Sequence, residues 1–276
     1  MRQAVRRWLT GAGATAAVGA AILGGAGTSG AATNSAAGRA APAHAAQAAK
    51  QAALAYVPSG HVIVYGQHGP AVRRMQRRLA ELHYYPGKVD GQFGQSTLEA
   101  VWAFKEIQHL GTTRDPNTAG IAFQHRLVNP RIPRPVYPRG RHNAYLIDVN
   151  QNIEALVLFH NGKVVLISHV SSGGRYTYPC PGDPSATCGP AITPDGKYQA
   201  HWFHRGWMQV PLGEMYNPVF FIGGAYAIHG DIPVPLQAVS HGCVRIPMDV
   251  ANFFHRLIPI SERAGKGAEI YIWGRT

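Results

Sequence analysis

The sequence predicts two folded parts: a small three-helix domain, followed by a mainly-β domain that resembles a sandwich or a barrel. Three observations predict this architecture. Apolar residues recur at helical spacing within residues 61–128, and short β-rich runs separated by turns begin at Ala144. Between them, residues 129–143 are rich in proline and arginine and are predicted to form an extended connector. A chain of 276 residues is long enough for both parts.

The composition excludes several classes of protein. Hydrophobic residues make up 46% of the chain and charged residues 14%, so a charge-rich disordered chain and a coiled coil are both excluded. The 32 glycines and 20 prolines favour turns and β structure. Beyond the first 30 residues no apolar run is long enough to span a bilayer.

The chain is basic, with a formal net charge of +12, or +9 without three arginines near the N-terminus. Such a charge attracts polyanions, either nucleic acid or the acidic polymers of a cell envelope. Four arginines are clustered within one predicted helix: Arg73, Arg74, Arg77 and Arg78. This cluster is more typical of a solvated helix face than of a nucleic-acid patch, so we expect no nucleic-acid partner.

Residues 1–32 have the organisation of a signal peptide. Three arginines (Arg2, Arg6, Arg7) precede a weakly apolar segment, and small residues at Ser29, Ala31 and Ala32 offer a cleavage site. The alternatives are an uncleaved membrane anchor and export by a twin-arginine route. We expect a secreted, extracytoplasmic protein of the cell wall with no integral membrane span after signal cleavage. Residues 33–60 are predicted to be a linker, because an alanine-rich segment without large apolar side chains cannot build a core.

The helical domain is predicted over residues 61–128. Its first helix follows Gly69-Pro70 and has an apolar face that includes Val72, Met75 and Leu79. A second helix is expected behind a capping box formed by Ser96 and Glu99. A third is expected to begin at Asp115-Pro116, with the aspartate as N-cap.

A specific motif runs through the first two helices. It reads Tyr65-Gly66-x-x-Gly69-Pro70-x-Val72-x-x-x-Gln76-x-x-Leu79, and continues as Tyr84-Tyr85-Pro86-Gly87-x-x-Asp90-Gly91-x-Phe93-Gly94. This pattern resembles the helical peptidoglycan-binding domain of many wall enzymes. The resemblance implies that residues 61–128 bind peptidoglycan, with its glycan and stem peptides as partners.

The β domain is predicted over residues 144–276. Two β-rich runs, 153–160 and 163–170, are separated by Asn161-Gly162, the dipeptide typical of a two-residue hairpin. Further strands are expected at 144–149, 196–202, 219–223, 225–229 and 269–273. One helix is predicted from Pro247 to Leu257, with the proline in its first turn.

Residues suited to chemistry are concentrated between Ala227 and Arg245. The segment contains His229-Gly230 and then Ser240-His241-Gly242-Cys243-Val244-Arg245. A cysteine nucleophile needs a lowered thiol pKa, a base within reach and donors for an oxyanion. His229 or His241 can form an ion pair with the Cys243 thiolate, and Gly242 allows a turn that directs backbone N–H groups at one developing charge.

Two alternatives to a nucleophile remain open for Cys243. It could form a disulfide, although Cys180 and Cys188 lie in one Pro/Gly-rich loop and can bridge each other, which leaves Cys243 as the odd thiol. Together with His229 and His241 it could instead bind zinc, but this spacing matches no common zinc pattern. We expect no metal and no cofactor.

The H-G…S-H-G-C-x-R pattern is similar to the L,D-transpeptidase catalytic domain. Two upstream segments add to the resemblance: residues 171–174 with Thr193-Pro194-Asp195-Gly196, and residues 212–224, which in the family line the substrate pocket. The resemblance implies that Cys243 is the nucleophile and His229 the general base that later serves as general acid. The remaining implied roles are a tight turn at Gly230, an oxyanion hole from the Gly242 and Cys243 amides, loop orientation by Ser240 and His241, a steadying contact from Arg245, and substrate lining by Tyr216, Gly223 and Gly224.

The implied reaction is attack of Cys243 on the bond between the L-diamino acid and D-Ala of a stem tetrapeptide. The resulting thioester is transferred to the amine of a neighbouring stem. The alternatives are an L,D-carboxypeptidase with the same site and a non-catalytic peptidoglycan-binding wall protein. A papain-type endopeptidase is disfavoured, because this chain lacks the segment expected around the nucleophile of such an enzyme. The segment between His229 and Cys243 departs from the family pattern in two ways. It is shorter than in many members, and it has Leu236 at a position where a glycine is common.

Overall fold

A computed structural model describes residues 56–136 and 144–274, which form one compact unit. The predicted signal peptide, the linker up to residue 55 and the connector over 137–143 lie outside the described residues. Within the described parts of the chain, no helix is long and apolar enough to cross a membrane.

The N-terminal part contains the three predicted helices. They are α1 (Pro70–Glu81), α2 (Gln95–Ile107) and α3 (Ile121–Val128). A short antiparallel pair, β1 (Ile63–Val64) and β2 (Thr118–Ala119), joins the beginning of this part to the segment before α3. Apolar side chains at helical spacing fill the space between the helices, and the most deeply buried include Val72, Met75, Leu79, Phe104 and Leu127.

Two predicted helix starts are wrong. Helix α2 begins after Gly94 with no side-chain cap, and Ser96 lies inside the helix, where its hydroxyl donates to Asp249 instead of to a backbone N–H. Helix α3 begins after Gly120 rather than at Asp115, because the intervening residues first form β2. The Asp115 carbonyl accepts a hydrogen bond from Lys105 Nζ at 2.6 Å. Local capping patterns cannot show such tertiary competition.

A five-stranded sheet, here called the central sheet, has the strand order β5-β4-β3-β14-β8. Its strands are β3 (Tyr145–Asn150), β4 (Ala155–His160), β5 (Lys163–His169), β8 (Gly196–Gln199) and β14 (Glu269–Trp273). Strand β14 runs parallel to β3, and the other pairs are antiparallel. Asn161 and Gly162 both have positive φ, at 52° and 74°, as the predicted hairpin between β4 and β5 requires.

A second sheet, here called the outer sheet, has the order β10-β11-β12-β13, with β9 also paired to β11. Its strands are β9 (Trp202–Phe203), β10 (Trp207–Val210), β11 (Gly213–Ile222), β12 (Tyr226–Asp231) and β13 (Val244–Pro247). Helix α4 (Met248–Phe254) follows β13 directly, with Pro247 as its N-cap residue. A separate hairpin consists of β6 (Tyr178–Cys180) and β7 (Asp183–Cys188).

The central sheet is buried on both faces. On one face, Leu156 and Leu158 of β4 belong to a core that includes apolar residues of the outer sheet and α4. On the other face, Val157 and Phe159 belong to a core that includes the buried residues of α1, α2 and α3. Because side chains alternate along a strand, β4 serves both cores at once. The small helical domain followed by a mainly-β domain is confirmed, and its helices pack directly against the sheet.

Candidate active site

Strands β12 and β13 bring His229 and Cys243 into one cavity. They are parallel neighbours, with Ile228 opposite Val244 and His229 opposite Arg245. Cys243 immediately precedes β13 and is therefore next to Ala227. Since paired residues in a sheet direct their side chains to one face and faces alternate with a period of two, His229 and Cys243 share a face. Both side chains line a cavity of about 440 Å³.

His229 is buried and held in one tautomer. Its Nδ1 lies 3.0 Å from the carbonyl oxygen of Gly230. A carbonyl oxygen can only accept, so Nδ1 carries the hydrogen and the neutral ring keeps its lone pair on Nε2. Burial lowers the pKa of His229 below 6.5, and the Arg245 cation lowers it further, against opposing effects of Gly230 and Asp231. The ring is therefore a neutral acceptor at pH 7.

Cys243 is a half-buried free thiol. Its Sγ lies 3.9 Å from both Met215 Sδ and the carbonyl oxygen of Ala225. Burial raises the pKa of Cys243, against smaller lowering effects of the Ala227 backbone and Arg245. The sequence predicts a lowered pKa for Cys243 and an ion pair between its thiolate and an imidazolium. This environment favours neither, because burial disfavours the charged forms of both Cys243 and His229. A neutral thiol beside a neutral imidazole calls for proton transfer during attack.

Arg245 is the fixed cation of the cavity. Its Nε lies 3.1 Å from Asp231 Oδ2, an ion pair between adjacent strands that is partly exposed. Its backbone N–H and carbonyl both pair with Ser171, which ties β13 to the end of β5. The guanidinium is thus presented on the same face as His229, where it can meet a carboxylate.

The loop before Cys243 is shaped by Ser240 and Thr193. The Ser240 hydroxyl accepts from the Gly242 N–H at 3.0 Å and donates to the Cys243 carbonyl at 2.5 Å. The Thr193 hydroxyl donates to the Gly242 carbonyl at 2.7 Å and accepts from the Gly173 N–H at 2.8 Å. These bonds hold the peptide on each side of Gly242 and so restrict the position of Cys243.

The predicted pair of oxyanion donors is not present in this conformation, because the Gly242 N–H already donates to Ser240. The Cys243 N–H is the member of the pair that remains a candidate. Gly242 is still required for geometric reasons. Its φ is +138°, and a Cβ there would lie 2.5 Å from the ring of Tyr226 and 2.7 Å from the carbonyl oxygen of Ile192.

Gly230 does not form the expected tight turn. Gly230 lies within β12, and its φ is not positive. A Cβ at this position would lie 2.7 Å from the Cβ of Ala251 in α4 and 3.2 Å from the ring of Tyr216. Glycine is needed here because helix and strand approach closely beside His229.

The predicted substrate-lining residues are divided. Gly224 lines the cavity, but Tyr216 and Gly223 do not. The Tyr216 hydroxyl donates to Asn252 of α4 at 2.8 Å, and the Gly223 carbonyl accepts from Trp202. Of the other predicted residues, the cavity lining includes His229, Ser240, His241, Cys243 and Arg245.

Two hairpins form walls of the cavity. One is the β10–β11 hairpin, residues 210–215, most of which belongs to the run 212–224 that the resemblance assigns to the pocket. The other is the β6–β7 hairpin, which contributes Tyr178 and Pro181 and was not predicted to belong to the site. A disulfide joins Cys180 to Cys188 across the second hairpin. The ring of Tyr178 meets His241 edge-on with 4.5 Å between centroids. Burial lowers the pKa of His241, and Arg245 lowers it further.

The described residues contain no group of three His, Cys, Asp or Glu side chains placed to hold a metal ion. His229 is turned toward the Gly230 carbonyl and Cys243 toward Met215 and Ala225. Both side chains line the same cavity, whose lining combines apolar residues with His241 and Arg245.

Comparison with known proteins identifies both parts of the chain. The family of L,D-transpeptidase catalytic domains matches residues 144–272, and a peptidoglycan binding domain family matches residues 68–116. Residues 144–272 are therefore an L,D-transpeptidase catalytic domain preceded by a peptidoglycan-binding domain. The two matched domains together indicate that peptidoglycan is the partner of this chain.

A solved structure shares this fold, and two others are less similar. The L,D-transpeptidase from Xylanimonas cellulosilytica is 29% identical with a TM-score of 0.67, and the match covers 79% of this chain and 100% of that chain. The enzyme from Stackebrandtia nassauensis is 14% identical over 77% of this chain and 98% of its own, with a TM-score of 0.42. One from Mycobacterium smegmatis is 18% identical over 48% of this chain and 59% of its own, with a TM-score of 0.36. No curated protein matches the chain.

Proposed function

We propose that the chain is a cysteine-dependent L,D-transpeptidase in which Cys243 is the nucleophile and His229 the general base. The observation that carries the proposal is the parallel pairing of β12 with β13. This pairing places His229 and Cys243 on the same face of the sheet, where both line one cavity. The free Nε2 lone pair of His229 is the acceptor that a neutral thiol requires.

The proposed first half-reaction breaks the amide bond between the L-centred diamino residue and the terminal D-Ala of a stem tetrapeptide. The Cys243 thiol gives its proton to His229 Nε2 as Sγ bonds to the carbonyl carbon. The Cys243 N–H faces the developing oxyanion. His229 then protonates the departing amine of D-Ala, which leaves a thioester on Cys243. The Arg245 guanidinium is the group suited to the D-Ala carboxylate.

The second half-reaction uses the side-chain amine of a neighbouring stem. The amine attacks the thioester carbonyl and loses a proton to His229, and the C–S bond breaks to return Cys243 to its thiol form. The product is an amide between two stems. Water in place of the amine gives an L,D-carboxypeptidase, which has the same residues and the same first step.

The test compares the full chain with its Cys243→Ala variant on purified disaccharide-tetrapeptide, with products identified by mass spectrometry. We expect a dimer lighter than two substrates by one D-Ala, and no D-Ala release by the variant. Tripeptide without dimer assigns carboxypeptidase activity to the site. Failure of the folded wild-type chain to release D-Ala contradicts the proposal and leaves a non-catalytic peptidoglycan-binding protein.

We also propose that residues 1–32 direct export and that residues 33–55 are a tether before the folded part. The predicted linker end at residue 60 is wrong, because Tyr56 is buried in the helical core and the Ser59 N–H donates to Gln124. The basic start, the weakly apolar segment and the small residues before residue 33 support this proposal. The disulfide between Cys180 and Cys188 suits an oxidising compartment. Determining the N-terminal residue of the protein recovered from culture medium and from cell walls tests it, and a chain that keeps residue 1 contradicts cleavage.

A further inference from the structure

The segment from Ile232 to Val239 connects the strand of His229 to the loop of Cys243 and has no regular secondary structure. Its position depends on a few contacts made by the end of β5 and the residues after it. The Ser171 hydroxyl donates to the Gln237 carbonyl at 2.7 Å. His169 Nε2 lies 3.0 Å from the Pro235 carbonyl oxygen. The segment is therefore held by hydrogen bonds to its backbone rather than by a sheet.

The other nitrogen of His169 is bound by the peptidoglycan-binding domain. Nδ1 lies 2.8 Å from Glu106 Oε1 in α2, and both side chains are buried, at 0% and 5% exposure. The ring of Trp102, one turn earlier in α2, meets His169 edge-on with 5.4 Å between centroids. Leu236 packs against the core that α2 shares with the central sheet. Leu236, which stands where the family pattern commonly has a glycine, thus anchors the segment 232–239 to this shared core.

Counting protons shows what the three groups require. The Pro235 carbonyl can only accept, so Nε2 must carry a hydrogen. A second hydrogen must lie between Nδ1 and Glu106, on the ring or on the carboxyl group. With both hydrogens present, both contacts of His169 are satisfied. With one removed, the ring can satisfy either the carboxylate or the carbonyl, and the other contact becomes a repulsion between lone pairs.

We propose that Glu106 and His169 are positioning residues through which the peptidoglycan-binding domain holds the catalytic loop in its active conformation. This inference rests on the proposed roles of His229 and Cys243. Neither residue lines the cavity that contains Cys243. Their effect on the reaction passes through Pro235 and the short segment that ends at Ser240.

The electrostatic surroundings agree with a pair that retains two protons at neutral pH. Burial raises the pKa of Glu106 to about 7. Burial alone lowers the pKa of His169, but the neighbouring carboxylates, Glu106 first and then Glu154, raise it above its ordinary value. Burial also raises the pKa of Glu99 in α2 to about 7, and the charge of His169 opposes this rise. No described residue is a hydrogen-bond partner of Glu106 Oε2, which is buried. A rise in pH removes one of the two protons of the pair, and the remaining proton can then serve the Glu106 carboxylate instead of the Pro235 carbonyl. The contact between His169 and Pro235 is therefore predicted to weaken as the pH rises.

Three variants of the full chain test the inference. Glu106→Ala removes the group that orients the ring. Glu106→Gln supplies an amide N–H that can donate to His169 Nδ1. A neutral His169 with its hydrogen on Nε2 can then keep its contacts to residue 106 and to the Pro235 carbonyl without a titrating proton between the two side chains. Gln124→Ala is the control, because Gln124 is fully buried in α3 and its hydrogen bonds lie within the helical domain.

We expect Glu106→Ala to lower kcat for D-Ala release about tenfold with little change in KM, because a small displacement of a reacting group is costly. Glu106→Gln is expected to recover most of kcat. We also expect the wild type to show an alkaline decline in kcat and Glu106→Gln to lose it. Gln124→Ala is expected to lower Tm and leave kcat unchanged at temperatures where it is folded.

The inference is overturned if Glu106→Ala keeps wild-type kcat, if Glu106→Gln fails to recover it, or if the two folded chains have the same alkaline profile. Alkylation of Cys243 by iodoacetamide, followed by mass spectrometry, provides a readout independent of turnover. We expect the alkylation rate to change in Glu106→Ala and not in Glu106→Gln or Gln124→Ala. A wild type without D-Ala release therefore contradicts the proposed function alone, whereas equal alkylation rates contradict the positioning role.

Discussion

Substitution of Thr193 by valine removes one hydroxyl and keeps the shape of the side chain. Thr193 is 2% exposed, and its hydroxyl both donates to the Gly242 carbonyl and accepts from the Gly173 N–H. Each buried hydrogen bond contributes about 0.5–1.5 kcal/mol, and a buried group that loses its partner costs more, so we expect a loss of about 2–3 kcal/mol in the free energy of unfolding. At roughly 2–4 °C per kcal/mol for a folded unit of this size, Tm should fall by about 4–12 °C.

The same substitution should lower activity well below the new Tm. The Gly242 carbonyl belongs to the peptide that precedes Cys243, so release of this carbonyl allows the nucleophile to move. A displacement of about 1 Å can cost up to about 100-fold in rate, and we expect about a tenfold loss of kcat for D-Ala release. Thermal unfolding measured by circular dichroism and kcat measured by mass spectrometry of released D-Ala test the two effects.

Thr97→Val is the matched control. Thr97 is also 2% exposed, and its hydroxyl donates to the Pro86 carbonyl at 2.9 Å and accepts from Gln76 at 3.0 Å, within the helical domain. We expect a similar fall in Tm with kcat retained. Equal losses of kcat in the two variants would refute the reasoning, as would a Thr193→Val protein with wild-type Tm and kcat.

Three further predictions concern Gly230 and His229. Gly230→Ala places a Cβ 2.7 Å from Ala251 and should cost about 1–3 kcal/mol of unfolding free energy through overpacking. Gly120→Ala, where a Cβ meets nothing within 4 Å, should cost less, and equal shifts in denaturant midpoint contradict the packing argument. Because burial lowers the pKa of His229, the acid limb of kcat/KM should have its midpoint below 6.5. The unfolded chain binds this proton below 6.5 while the folded chain does not, so stability should also fall as the pH drops below that value. A midpoint at or above 6.5 contradicts the assignment of His229 as a buried neutral base.

Local patterns in the sequence predict the secondary structure well where one segment decides it. Asn161-Gly162 demands positive φ at two successive residues, and this requirement alone predicts the β4–β5 hairpin. The apolar spacing of α1 predicts its buried face in the same way. The predicted starts of α2 and α3 are wrong because the tertiary structure intervenes: Asp249 takes the Ser96 hydroxyl, and residues 118–119 form β2 before α3 begins.

The chemical residues of the site could be named from the sequence, but several of their roles could not. A histidine and a cysteine in one short segment indicate a nucleophile and a base. The engagement of the Gly242 N–H by Ser240, and the packing role of Gly230, depend on atoms placed by the fold. The β10–β11 hairpin could be assigned to the pocket only by resemblance, and Tyr178 and Pro181 of the β6–β7 hairpin carry no local chemical pattern that distinguishes them from surface residues.

The sequence by itself determined the kinds of element, the chemistry of the segment from His229 to Arg245 and the class of domain, because these depend on spacing within short stretches. Only the tertiary structure decided which buried faces meet. Alternation along β4 shows that both of its faces are apolar, but not that one packs on helices and the other on a sheet. Glu106 and His169 are 63 residues apart in the chain and 2.8 Å apart in the fold. Their contact arises from the packing of α2 on β5, which no local pattern encodes.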